Sequence, residues 1–382
     1  MTTIQIILSI LAGMFFMWVF LRLPYSDSPI SILLNALSGF FVTNEHKGKP
    51  SAAIEMSDDI KRYKGATPPA NTSNVHGEIE YLVSGIPATH WYEKVNDCTY
   101  HFVTAGDPNN EAILFVPGLP ESWWAFHQQM SELSSDYYVI AMDSRGFGQS
   151  DKRLDLDYTN PAMAKDVAAL MDKLGIEQFN MAGHDRGAVV TDHMTNVPSL
   201  KGRILRYVRM QQSFNEPHGS PVPPHKLMGS RFGQALFACK NFCSVLYRAW
   251  FPSYLSESTM NRLEYEFGFK GTAAAQSKYF RTTNFDLELA DRHDFLFKSM
   301  TMPMLILQGR YDKGQHPEEY DRCADFVSDA RVQFIHANHF FHLENPVATN
   351  HAFRRFLSEK STASLNTSNK SKAVKSERVT AI

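Results

Sequence analysis

The sequence predicts an α/β fold, a mostly parallel sheet covered by helices and interrupted by one helical insertion. Three observations predict it. Ala112 to Val116 (AILFV) is a continuous apolar run of the kind that forms a strand buried on both faces. Strand-like and helix-like segments alternate from about Gly77 to Met210 and resume at Met304, the pattern of a parallel sheet with helices on both sides. Between them, from about Ser213 to Met300, the alternation stops and an aromatic-rich, helical stretch takes its place.

The elements follow in order. Ile79 to Val83, Thr89 to Val95 and Thr99 to Thr104 read as early strands by their alternation. Trp123 to Leu133 reads as a helix and Tyr137 to Met142 as the next strand. Pro161 to Leu174 forms a helix with proline in its first turn. Gln178 to Ala182 is a strand running into a tight turn and a further helix. Ile204 to Met210, Met304 to Leu307 and Val332 to Ile335 complete the strand set.

The chain divides into six stretches. Residues 1–22 form a membrane anchor: Ile4 to Leu21 is eighteen residues without a charge, close to the roughly 20 that span a bilayer. A secretory signal would need a basic start and a small-residue cleavage site, and neither is evident. A buried core helix is the alternative, disfavoured by a segment apolar on every face. Arg22 follows the segment and no Lys or Arg precedes it, so the positive-inside tendency places the catalytic domain in the cytoplasm of a single-pass protein. Glycosylation at Asn71 or Asn366, each followed by Thr-Ser, would contradict that orientation. Residues 23–76 form a linker with a short apolar segment, Ile30 to Val42, which either lies on the membrane surface or packs on the domain. Residues 77–212 are the first part of the core, 213–300 a helical cap, and 301–360 the second part of the core. Residues 361–382, rich in Ser, Thr, Lys and Asn, read as a disordered tail.

Composition narrows the partners. In 382 residues, 43% are hydrophobic and 20% charged, enough for one large domain with an insertion or for two small ones. A net charge of −2 without a basic stripe gives no footprint for nucleic acid. The four cysteines, Cys98, Cys239, Cys243 and Cys323, have no spacing typical of a zinc site or disulfide framework. The sequence sets no oligomeric state.

Chemistry concentrates in Met181-Ala182-Gly183-His184-Asp185-Arg186-Gly187. Glycines two before and two after a central residue, between a strand and a helix, are the pattern of a nucleophile elbow. The central residue is Asp185. A carboxylate attacking an acyl carbon would give an anhydride and gain little. Attack on a saturated carbon gives an ester that water can cleave, so Asp185 points to epoxide opening or halide displacement. An exposed loop Asp, or a helix N-cap, is the plain alternative. Asp312 follows the strand Met304 to Leu307, and His339 follows Val332 to Ile335. Each lies after a different strand, so their loops can converge at one sheet edge. His336 and His342 flank His339, which raises a metal site as a competitor, without the H-E-x-x-H spacing that would support one.

With these residues in hand, the chain resembles α/β-hydrolases of the epoxide hydrolase and haloalkane or haloacid dehalogenase group, over about Gly77 to Glu359. Val116 to Trp124 (VPGLPESWW) is similar to the group's H-G-x-P-E-S-W segment, and Asp143 to Asp151 (DSRGFGQSD) to its D-x-R-G-x-G-x-S-D segment. The elbow resembles G-H-D-W-G of epoxide hydrolases and, more closely, G-H-D-R-G of fluoroacetate dehalogenases. The resemblance implies an α/β-hydrolase fold, no cofactor and no metal, with Asp185 as nucleophile, His339 as base and Asp312 as its orienting acid. It implies an oxyanion hole from the backbone N–H groups of Leu119 and Arg186, and a turn-bracing role for Asp143 with Arg145. Tyr247-x-x-x-Phe251 resembles the first cap tyrosine of epoxide hydrolases and its companion. Phe280 aligns with the second tyrosine, beside Tyr279. Trp123, Tyr247, Phe251 and Phe280 are thereby expected to line the substrate site, unless these aromatics serve only to pack the cap.

Three positions depart from the pattern. Pro117 stands for the His of H-G-x-P, Phe280 for a tyrosine, and Val189 for the second Arg of the dehalogenase segment G-H-D-R-G-A-R. The reading is a membrane-anchored hydrolase acting through an aspartyl ester on a small lipophilic epoxide or carbon–halogen substrate. The alternative is a binding or signalling protein on the same fold.

Overall fold

The computed structural model describes residues 72–212, 225–239, 242–251, 253–283, 285–313 and 323–359, with residues 69, 315 and 320. The expected anchor, the apolar run Ile30 to Val42 and the tail lie outside the described residues. Among the described residues no helix is long and apolar enough to cross a membrane.

Nine strands form one sheet in the order β1-β2-β3-β5-β4-β6-β7-β8-β9. β1 (Ile79–Tyr81), β2 (Pro87–Val95) and β3 (Cys98–Ala105) are antiparallel, and β3 joins β5 (Tyr138–Met142) antiparallel. From there β4 (Ala112–Val116), β6 (Phe179–His184), β7 (Ile204–Met210), β8 (Met304–Gly309) and β9 (Ala330–Ile335) run parallel. β6 extends two residues beyond its expected end, carrying the strand to the residue before Asp185.

The apolar runs are apolar because both faces are covered. Along β4, Leu114 and Val116 face one core while Ile113 and Phe115 face the other. A strand alternates its side chains by two, so a continuous apolar run feeds both layers. The first layer holds α2 (Asn160–Lys173) and α3 (Arg186–Met194), through Met163, Val167, Val190 and Met194. The second holds α1 (His127–Leu133) and the last helix (Pro346–Ser358), through Met130, Leu133, Phe353 and Phe356.

Between β7 and β8 the described residues are helical and strand-free. Arg231–Phe237, Glu257–Phe267 and Thr272–Thr282 are its longer helices. Their buried aromatics, Phe237, Phe267 and Phe280, belong to the core that also covers one sheet face. The cap is therefore continuous with that layer.

Candidate active site

The turn after β6 carries the site. Asp185 has φ 48 and ψ −122, a positive φ that few non-glycine residues adopt. The flanking glycines serve close approach: a Cβ at Gly187 would collide with the carbonyl oxygens of Val116 and Pro117, and one at Gly183 with Thr191 Oγ1 and Gly187 O. β4 and α3 thus press against the turn and fix it. Asp185 makes no side-chain capping bond to α3. Its Oδ1 accepts the Leu119 N–H at 3.0 Å, and its Oδ2 accepts Gln212 Nε2 at 2.9 Å.

His339 and Asp312 reach the same point from the ends of β9 and β8. His339 Nδ1 faces Asp312 Oδ2 at 2.9 Å, and its Nε2 lies 3.7 Å from Asp185 Oδ2. Asp312 is further held by Gln211 Nε2 at 2.9 Å and sits with its side chain fully buried. Burial opposes charge on His339, but the carboxylates of Asp312, Asp185 and Glu121 outweigh it and raise its pKa above the ordinary value.

Tyr247 lies in a one-turn π-helix, Val245–Trp250, and stacks on Phe340 at 3.9 Å. Its hydroxyl is buried without a hydrogen-bond partner. Burial, with Glu121, Cys243 and Asp185 nearby, pushes its pKa well above the ordinary value, so the phenol keeps its proton. Phe251 stacks on the His339 ring at 4.0 Å.

Two further residues expected at the substrate site, Phe280 and Trp123, are packed against neighbours. Phe280 stacks on Phe237 inside the cap at 5.8 Å. The adjacent Tyr279 meets the Phe280 ring edge to face at 5.3 Å and carries its hydroxyl to different partners. Its hydroxyl accepts from Arg186 Nε at 2.6 Å and donates to Asn160 Oδ1 at 3.2 Å. Arg186 also pairs with Glu288, which accepts from Asn160 Nδ2 at 2.6 Å. Trp123 is fully buried, edge to face with His90, and its backbone N–H donates to Asp143. Residue 123 opens a short helix whose N-terminus Asp143 satisfies.

Asp143 and Arg145 brace their turn through separate partners. Asp143 accepts from His101 Nδ1 and the N–H groups of Trp123 and Gln149, while Arg145 pairs with Asp166. The three histidines around 339 also separate. His336 is exposed and meets Tyr311 Oη, and His342 turns inward to Glu121. Sequence reading missed Gln211 and Gln212, although their position directly after β7 at the sheet's C-terminal edge is the available signal.

A family model described as alpha/beta hydrolase fold matches residues 111–208. The crystal structure of the epoxide hydrolase VrEH1 from Vigna radiata superposes with a TM-score of 0.59 at 22% identity, covering 71% of this chain and 97% of that one. The chain has the α/β-hydrolase fold. Among curated relatives, epoxide hydrolase 3 of Xenopus tropicalis is 25% identical over 321 residues, 77% of this chain and 82% of that protein. Epoxide hydrolase 4 of Mus musculus is 32% identical over 105 residues, 27% of this chain and 29% of that protein. Fold and relatives together mark this α/β-hydrolase chain as a hydrolase.

Proposed function

We propose that the protein hydrolyses a small lipophilic epoxide through an ester formed on Asp185. The observation that carries the reading is the convergence of Asp185, His339 and Asp312, with the Leu119 N–H already on the carboxylate. Asp185 attacks a ring carbon, and the strained C–O bond breaks. The Tyr247 phenol, protonated and unpaired, donates to the leaving oxygen. The ester removes one of the charges that hold up the His339 pKa, so the imidazole is freed to act as base. His339 Nε2, 3.7 Å from Oδ2, takes a proton from the water that attacks the Asp185 carbonyl carbon. The N–H groups of Leu119 and Arg186 hold the oxyanion. As it collapses the ester C–O bond breaks, and the proton on His339 passes to the departing diol oxygen. The new Asp185 carboxyl gives its proton to the Tyr247 phenolate, which restores the site. A carbon–halogen bond would serve the same nucleophile. The epoxide is favoured because a free phenol suits an alkoxide leaving group and because the relatives are named as epoxide hydrolases.

Anchoring by Ile4 to Leu21, with the catalytic domain on the cytoplasmic face, belongs to the same proposal and would deliver substrates that partition into lipid. His339→Gln tests the chemistry. Incubated with styrene oxide, the variant should carry the alkyl fragment on the Asp185 peptide, read by mass spectrometry. An unmodified peptide in a variant that binds the epoxide would favour direct attack by water.

A further inference from the structure

A second set of buried ionisable groups lies directly beneath the elbow, and the reaction just described does not use it. Glu121 comes from the loop after β4, His184 from the end of β6, and His342 from the short helix Phe341–Glu344 that follows β9. All three side chains have 0% exposure. Glu121 Oε2 lies 2.8 Å from His184 Nδ1 and accepts the Gly118 N–H at 3.1 Å. Glu121 Oε1 lies 2.9 Å from His342 Nε2, though out of line for a good hydrogen bond. His184 Nε2 points at the carbonyl oxygen of His339, 3.1 Å away.

These three groups are close enough to suggest a cation site. Their separations argue for shared protons. Donor atoms around a metal at about 2.0–2.1 Å stand more than 3 Å apart, whereas 2.8 and 2.9 Å are hydrogen-bond lengths. The proton inventory is also constrained. Both His184 nitrogens face acceptors, a carboxylate and a carbonyl, so the ring fits there as a double N–H donor. Burial and the facing His184 push the His342 pKa down to about 4, against the pull of Glu121, leaving that ring neutral. Burial opposes charge on Glu121, but the two histidines outweigh it and hold the carboxyl well below the usual range.

The chain of contacts ends on parts of the reaction centre. Gly118 precedes Leu119, whose N–H touches Asp185. The His339 carbonyl belongs to the base itself. His184 precedes the nucleophile. We propose that Glu121, His184 and His342 form a positioning relay that sets the His339 base and the Leu119 N–H for the second half-reaction, hydrolysis of the ester. This rests on the aspartyl-ester reading above. Alkylation needs the Asp185 carboxylate and the Tyr247 phenol, neither of which the relay bonds. Hydrolysis needs the base and the oxyanion donor, which sit at its two ends.

The test separates the half-reactions. Full-length protein is mixed with styrene oxide, and formation and loss of the alkylated Asp185 peptide are followed by quench and mass spectrometry. Glu121→Gln keeps the shape and removes the charge. Its ester loss should slow roughly ten- to a hundredfold, the loss expected for a buried hydrogen bond to a charge, while ester formation stays within about threefold. His342→Leu should slow ester loss in the same direction. His342→Gln returns an N–H donor and should recover most of what His342→Leu loses. Formation and loss falling together, or neither changing, would overturn the relay. So would equal defects in His342→Gln and His342→Leu, a comparison that stands even where Glu121→Gln does not fold. If His339→Gln itself traps no ester, the aspartyl-ester reading fails and the relay falls with it. Ester trapped in His339→Gln but cleared at the wild-type rate in Glu121→Gln sinks the relay alone.

Discussion

At Asp185 a strained backbone and a nucleophilic carboxylate occupy one residue. A positive φ at a non-glycine residue costs on the order of 1–3 kcal/mol and persists only where packing over-determines it. Here β4 and α3 close on the turn through Gly183 and Gly187. The base shows how charge is shared. His339 has a folded pKa above its ordinary value, so it is charged below that pKa and neutral above it. A general base must be neutral. Ester loss should therefore slow as pH falls from about 8 to about 6, across the range in which histidine titrates, and the alkylated fraction at steady state should rise. An alkylated fraction independent of pH would contradict this. At the phenols, Tyr247→Phe should cut epoxide turnover on the order of a hundredfold, as loss of an oxyanion donor does. Phe280→Tyr should give no gain, because residue 280 faces Phe237 and the new hydroxyl would lie in the apolar cap. Rates with styrene oxide, with melting curves as a folding control, check both.

Among the elements, α3 has two tasks, presenting the elbow at its start and packing on the sheet. Asp192 and Arg209 tie it to β7 by a fully buried ion pair at 3.0 Å, with the Tyr207 hydroxyl on the same carboxylate at 2.8 Å. Arg209→Leu should destabilise the fold by about 3 kcal/mol, since it leaves a buried carboxylate uncompensated. Arg292, 3.8 Å from Asp192, offsets part of the loss. Chemical denaturation checks this, and the double variant Asp192→Leu with Arg209→Leu should recover part of the loss. The elements also explain what the sequence could and could not reveal. Strands buried on both faces announce themselves as apolar runs, and residues just past their C-terminal ends fall on one edge, so Asp185, Asp312 and His339 were legible together. Facing within a helix is not written locally: Tyr279 and Phe280 touch edge to face, yet the Tyr279 hydroxyl meets Arg186 while the Phe280 ring stacks on Phe237, and Trp123 is wholly buried against His90. The Glu121, His184 and His342 set was illegible for another reason. Its members come from the loop after β4, the last residue of β6 and the short helix after β9, and only the assembled sheet brings them into contact.

For the whole molecule, the described residues form the sheet, its two helical layers and the cap, while the apolar N-terminal stretch stands as a proposal. Deleting residues 1–22 should move the protein out of the membrane fraction. If the truncated chain stays with membranes after a high-salt wash, Ile30 to Val42 is a second attachment and a single anchor is the wrong account. The central claim concerns one covalent bond between this chain and its substrate. It predicts that the oxygen added to the product comes first from the enzyme and only then from water. A single turnover of wild-type protein with excess enzyme over styrene oxide, in heavy-oxygen water, tests it most directly. The account predicts heavy oxygen in the carboxylate of the Asp185 peptide and ordinary oxygen in the first diol formed. Heavy oxygen in that diol, with an unlabelled Asp185, would contradict it.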